Sequence, residues 1–429
     1  MSPSHPFAVL RARSLWGGTG AILGAVALLF SLFYLGANIN PSGSVRGLPV
    51  GLVDADRGAT VDGRPLGLGK QAVEAITREA AGHREVSWQV LDRQEAERRL
   101  ASGRLFGALV VPEDFSASVA ALGGPAPADG PKRPVLMVLT NPSAGSMGSA
   151  MAGRITQQAA HTVSLTIGGE LSKHAPAQAQ PSTAERLLLA DPVGVQVQDG
   201  HPLGSHSGMG LTAFYYALVL VVCGMLGANV VNSQVDVALG YAHSDIGPWR
   251  RRRPLLRSSR VQTLAVGGVL IVSLSVVMAT LVLAVAVGVL GMDAPHVPLL
   301  WLYSVGTVAT VGLGALALLA VFGTPGMLMV TLVFIAMSVP TAGASTPVEA
   351  LPGFYRFLAE FEPLRQITGG VRSILYYDAQ ADAGLTRGWA MMAAALAGAV
   401  VFGFGATRFY DRRGLHREHA PAAAVSQTA

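Results

Sequence analysis

Few residues in this sequence are of a type and spacing that could do chemistry. Gly67-Leu68-Gly69-Lys70-Gln71 resembles part of a phosphate-binding loop. That loop needs a glycine four intervening residues before the Gly-Lys pair and Ser or Thr after it, because backbone N–H groups and a hydroxyl cradle the phosphates and their metal. Here Arg64 and Gln71 occupy those positions, so a turn before a helix is the better reading. His201 and His206 flank an apolar run, and His416 and His419 are three apart near the C-terminus. Neither pair has a carboxylate or cysteine at ligand spacing, so both read as solvated histidines rather than a metal centre. Ser143, Ser146 and Ser149 lack the Gly-x-Ser-x-Gly context of a nucleophile elbow and read as a turn capping a long helix. The only cysteine, Cys223, lies inside an apolar run, which leaves no disulfide framework and no cysteine zinc site. The expectation is a chain that is not an enzyme and binds no cofactor of its own.

The elements around these residues point to a membrane. Of 429 residues, 51% are hydrophobic and 13% charged, against roughly a quarter charged in soluble proteins. Mean hydropathy is +0.44. A soluble enzyme, a nucleic-acid binder and a disordered scaffold all fit poorly. Apolar runs at 15–37, 209–231, 261–290, 299–322, 327–343 and 389–407 contain no Asp, Glu, Lys or Arg. Each approaches the length of about 20 residues that a bilayer-crossing helix needs, the fifth being the shortest and carrying Pro340 near its end. The spans are bounded at 15–37, 208–232, 261–291, 298–322, 326–344 and 388–408. The first exceeds a usual signal-peptide core and ends in Leu35-Gly36-Ala37, a poor cleavage site, so it reads as a retained anchor.

Short cytoplasmic segments collect basic residues. The stub at 1–14 holds Arg11 and Arg13, and the tail at 409–429, with Arg408 just before it, holds Arg412, Arg413 and Arg417. The basic loop at 233–260 holds Arg250, Arg251, Arg252, Arg253, Arg257 and Arg260 against Asp236 and Asp245. Residues 38–207 instead balance 15 basic against 16 acidic side chains. An even number of spans puts both termini inside and 38–207 outside. The arginine run reads first as a topology signal; attraction to anionic headgroups and docking of a cytoplasmic subunit are compatible with it.

Within 38–207 strands and helices alternate: apolar strands near 50–53, 86–91, 105–111, 135–139 and 193–197, helical spacing over 68–80, 94–102 and 113–122, and a long helix over 146–174. Such units favour an α/β layer domain, with the strand order left open. Residues 345–387 carry two amphipathic pieces opened by Pro352 and Pro363, too short to span, which read as a helical hairpin at or dipping into the outer interface. The fold class is therefore a polytopic α-helical membrane protein, one span followed by five, with a large extracytoplasmic α/β domain between spans one and two.

Three stretches carry a family resemblance. Pro49-Val50-Gly51-Leu52-Val53-Asp54-Ala55-Asp56 looks like a first strand ending in spaced aspartates. Leu105 to Phe115 looks like a strand closing in a Pro-x-x-Phe turn, with Pro112 and Phe115. Leu351-Pro352 through Pro363 to Gly370-Val371-Arg372 looks like the stretch before the last span. In that order the chain resembles the membrane subunits of type-2 ABC exporters, in the branch that includes the phage infection protein family. The resemblance implies a permease half in a bacterial plasma membrane, paired as a homodimer or heterodimer. It also implies a separate cytoplasmic ATPase supplying ATP energy, docked on residues 233–260, in which Gly240, Gly247 and Pro248 interrupt any long coupling helix. It implies a lipid, peptide or amphipathic compound as cargo, membrane lipids as neighbours and no nucleic acid.

Two other classes of function remain beside it. One is an envelope receptor whose outer domain binds a protein, phage or wall component without transport. The other is a gradient-driven carrier, which the uncharged spans disfavour because such carriers bind their coupling ion through polar groups at mid-membrane.

Overall fold

A computed structural model describes residues 13–61, 63–80, 82, 84–122, 133–174, 190–246, 249–251, 253–344 and 346–415. The histidines at 416 and 419 and most of the N-terminal stub lie outside the described residues.

The described residues begin with α1 (Arg13–Asn38), and a sheet region follows. Strand β1 (Leu48–Asp54) is followed by a small hairpin, β2 (Ala59–Val61) and β3 (Arg64–Leu66), then α2 (Leu68–Ala80), β4 (Val86–Leu91) and α3 (Arg93–Leu100). Next come β5 (Gly107–Val111), α4 (Phe115–Ala121), β6 (Val135–Thr140), α5 (Ser146–His174) and β7 (Gly194–Asp199). The five main strands lie in the order β4-β1-β5-β6-β7. β1 runs parallel to both β4 and β5, with Leu52 opposite Val90 and Leu109. β6 is antiparallel to β5 and parallel to β7.

The near-continuous apolar runs of β1 and β5 follow from burial on both faces. One face packs Leu52, Leu109 and Val138 under α2, α4 and α5 through Ile76, Val119 and Val163. The other packs Val53 and Val110 against Ala96 of α3. Asp92 caps α3 by accepting from the Glu95 amide at 2.7 Å. The α/β alternation and the long α5 match the sequence expectation. The β2–β3 hairpin does not appear in it, because three-residue strands carry no usable period.

The second half is helical: α6 (Thr212–Ala238), a hairpin of β8 (Ser244–Ile246) with β9 (Trp249–Arg251), α7 (Arg260–Leu283) ending in a π-helical turn Ala284–Val289, and α8 (Val297–Phe322). A broken segment follows, α9 (Gly326–Thr331), a π-helical turn Leu332–Ala336 and α10 (Ser338–Thr341). Then come α11 (Gly353–Ala359), α12 (Pro363–Tyr376) and α13 (Leu385–Arg412). Among the described residues five helices, α1, α6, α7 with its π turn, α8 and α13, are long and apolar enough to cross a membrane. The broken segment Gly326–Thr341 is apolar but shorter. The region expected as a loop at 233–260 contains regular structure: α6 continues through Ala238, and β8 and β9 pair as an antiparallel hairpin.

α8 is the central helix, packed by α6, α7 and α13. Its small and β-branched residues Thr307, Val308, Val311 and Ala315 let those neighbours approach. α12 joins the same core through Leu364, Ile367, Val371 and Ile374, the face its spacing predicts. α1 stands apart and touches the rest near its C-terminal end, where Phe33 and Ala37 meet Leu351 and Tyr355.

Candidate functional site: a chamber, its clasp and the joint above it

A chamber of about 420 Å³ lies between α8, the broken segment, the α11–α12 hairpin and α13. Its walls include Thr310 and Gly314 of α8, Phe334 of the π turn, Pro363 and Gln366 of α12 and Gly398 of α13. Glycines and a short, π-interrupted helix leave the space: a π turn widens the backbone by one residue per turn and displaces side chains that would otherwise fill the gap. The lining is mostly apolar, with threonine hydroxyls and the Gln366 amide as its polar groups, so it suits a ligand with a large apolar part.

Two chamber walls are fastened by Glu362. Pro363 begins α12, where its missing N–H costs nothing. Glu362, at the cap position, does not cap the helix; its carboxyl meets the Ser338 hydroxyl of α10. Glu362 is only 4% exposed. Burial pushes its carboxyl up to about 7, against the smaller downward pull of the Ser338 contact. The nearby cations are engaged elsewhere, since Arg365 and Arg387 both pair with Glu360 at 3.3 and 2.5 Å.

Gly370 is explained by Tyr303. Tyr303 is fully buried on α8, with Trp389 edge-on at 5.1 Å. A methyl group on Gly370 or Gly388 would sit 2.2 or 2.4 Å from its hydroxyl oxygen. Only hydrogen fits at either position.

Above the chamber, Arg372 ties the sheet region to the helices. It is half-buried, and burial pushes its guanidinium below the usual range. One terminal nitrogen donates to the Ala144 carbonyl and the other to the Gly343 carbonyl, both at 3.2 Å, while its Nε has no partner. Around it, Asn141 donates to the Leu100 and Leu105 carbonyls at 2.8 Å. Tyr376 donates to the Ser207 carbonyl at 3.2 Å and accepts from the Ala213 amide at 3.1 Å. The joint is a set of polar groups paired across elements far apart in sequence, the Arg372 Nε excepted, the kind of network that specifies one docking geometry.

The other motif residues are structural. Asp56 follows β1 and accepts from the Gly69 amide, the Ser116 amide and the Ser116 hydroxyl, at 3.0, 3.0 and 2.5 Å. Burial alone would raise its carboxyl, but the bonds from Ser116 and Gly69 outweigh burial and hold it below the usual value. It thereby occupies the place at the carboxyl end of β1 where an open α/β sheet would bind an anion. Asp54 accepts from the Asp56 amide at 3.1 Å, and burial raises its carboxyl. The Pro112 carbonyl accepts from the Phe115 amide at 3.2 Å, and Phe115 fills the sheet core. Pro352 precedes α11, and its carbonyl accepts from the Arg356 amide at 3.0 Å.

The basic loop divides. The amides of Arg260 and Val261 donate to Asp411 at 3.0 and 3.1 Å, and the Arg260 Nε donates to the Leu415 carbonyl at 2.7 Å. Arg253 and Arg257 are exposed. Arg250 and Arg251 lie on β9, and Arg252 lies outside the described residues. The histidines do not converge: His201 bonds the Tyr376 carbonyl at 2.7 Å, while the His206 amide donates to Asp293 at 3.1 Å. Among the described residues no group of three or more metal-ligand side chains occurs. Ser143 and Ser149 bond Asn141, building the turn that precedes α5.

Sequence reasoning missed Glu362, Ser338, Tyr303 and Asn141. Glu362-Pro363 was the available signal, an acid directly ahead of a helix-opening proline between two apolar runs. A family model described as "Protein of unknown function (DUF3533)" matches residues 19–395. No curated protein matches the chain.

Proposed function

We propose, from the premise that the chain belongs to the DUF3533 family, that it is the membrane-spanning permease subunit of an ATP-driven exporter of the type-2 ABC kind. The observation that carries this reading is the chamber of about 420 Å³ beneath the hairpin, whose lining residues include no charged side chain. A passage with mostly apolar walls suits an amphipathic or lipid-like cargo moved by a partner's work. The broken segment Gly326–Thr341 serves as the fifth of six spans, short enough to leave the chamber open under the hairpin.

The contacts between helix ends support this topology. Thr346 bonds Asn38 at 2.6 Å and Tyr376 bonds Ala213 on the sheet side. Asp411 bonds Arg260, and Tyr410 bonds the Val321 carbonyl at 3.4 Å, at the opposite end. The exposed Arg253 and Arg257 belong to that opposite end, as a cytoplasmic face requires. Both termini are then cytoplasmic and the sheet region faces outward. Residues 233–260, with the exposed Arg253 and Arg257, dock a cytoplasmic ATPase, and a second permease copy completes the pathway.

The test is purification of the full chain from native membranes in mild detergent, with identification of what accompanies it. A stoichiometric soluble ATPase whose association changes with nucleotide is the expected result. Recovery of the chain alone, or with an outer-surface ligand, would replace this reading with the receptor.

A further inference from the structure

We propose that Glu362 is a proton-binding site that clasps the sheet-side end of the chamber, and that proton release opens it. The proposal goes beyond the exporter reading and stands without it.

Its first support is a count of hydrogens. The Ser338 hydroxyl has one hydrogen, and it lies 2.9 Å from the Val333 carbonyl, which can only accept. The same oxygen contacts Glu362. If Ser338 donates to Val333, the contact with Glu362 must be made by a proton carried on the carboxyl. The π turn supplies the arrangement, because the Met337 amide bonds the Leu332 carbonyl five residues back and leaves the Val333 carbonyl to the serine.

The second support is isolation. The broken segment, residues 326 to 344, contains no ionisable side chain. From α11, Arg356 donates to the Glu349 and Leu351 carbonyls. On α12, Arg365 is held by Glu360 and Arg372 by the carbonyls of the joint. Arg387 on α13 is also held by Glu360, and α1 offers Tyr34, whose carbonyl receives Asn38. A carboxylate left at 4% exposure with no counter-charge is costly, and the remedy open to it is hydration.

The third support is position. Glu362 stands between Phe361 and Pro363, both chamber-lining, while Ser338 lies one turn beyond the lining residue Phe334. The contact therefore bridges the two walls at the end nearest the joint. Releasing the proton separates α10 from the start of α12 and admits water, or a ligand, from the sheet side.

The experiment uses the full chain in detergent with Cys223→Ser and Thr310→Cys, placing one thiol in the chamber wall. Its labelling rate by a small water-soluble methanethiosulfonate is measured at about pH 6 and about pH 8.5, and each rate is divided by that of the same protein carrying Glu362→Gln. The division cancels the thiol's own ionisation, and the glutamine amide can still donate to Ser338. The ratio is expected to rise about tenfold, since a group titrating near 7 is about one-tenth ionised at the lower pH. A ratio that stays constant overturns the proposal. Ser338→Ala serves as the second variant should Glu362→Gln not fold. Divided by the parent's rate at the same pH, a Ser338→Ala rate well above one at the lower pH and near one at the higher supports the clasp, and a ratio near one at the lower pH overturns it.

Discussion

Arg372 brings a full charge into the joint and meets two carbonyls there instead of a carboxylate. Removing such a group by truncation leaves acceptors dry and a void behind, whereas an apolar side chain of similar length loses the charge and keeps the packing. Arg372→Ala should therefore cost about 2–4 kcal/mol of stability and Arg372→Met clearly less. Thermal midpoints of the purified variants check the order, and equal losses would mean that the guanidinium itself holds the joint. Asp56 and Glu362 give opposite pH dependences. Asp56 sits below its ordinary value, so its contribution is present above the unfolded carboxylate range and is lost as pH falls through the folded value. Glu362 is raised from 4.5 to about 7, so its contribution is complete below 4.5 and lost as pH rises through about 7. Asp56→Ala should accordingly remove acid sensitivity from the sheet region, and Glu362→Gln should remove the decline between those two pH values. Proteolytic susceptibility of each region across pH would show whether the two effects separate.

At the scale of elements, α12 is held at two places, with Tyr303 pressed against Gly370 from one side and the joint at its C-terminal end. Gly370→Ala forces Tyr303 or the helix to shift and should cost about 1–3 kcal/mol. Gly369→Ala, which meets open space, should be neutral or slightly stabilising through helix propensity. A thermal comparison of this neighbouring pair tests the close approach directly. Much of this level was legible in the sequence. The apolar face Leu364, Ile367, Val371 and Ile374 is buried as its spacing predicts, and the long apolar helices lie close to the hydropathy runs. Strand order was not legible, because β1 and β5 are buried on both faces and their uniform apolarity carries no register. The first amphipathic piece, α11 and the turn after it, was only half legible: Leu358 packs inward, but Phe354, Phe357 and Phe361 are 60–66% exposed. Aromatic residues in that position suit a bilayer interface, for which a water-based hydrophobic count has no separate symbol. The clasp and the joint were invisible, since each depends on pairs such as Ser338 with Glu362 and Arg372 with Ala144 that only the folded chain brings together.

For the whole molecule, sidedness is the property on which function depends. A cysteine at Glu113, exposed in the sheet region, and one at Arg257, exposed beyond α6, should label from opposite sides of a sealed membrane. With an impermeant maleimide on intact cells, Glu113→Cys should react at once and Arg257→Cys only after permeabilisation; labelling of both from outside would overturn the six-span arrangement. One feature of α1 matters for how such a molecule is made. Its partners Thr346 and Tyr355 lie 308 and 323 residues later than the atoms they bond. At roughly 5–20 residues per second of synthesis, α1 waits on the order of 15–60 s in the bilayer before its own chain supplies them. During that interval its flank of leucines faces only lipid or whatever other helix is passing, so the least attached helix of the finished protein is also the one most open to capture by a chaperone or a sister subunit while the rest is being translated.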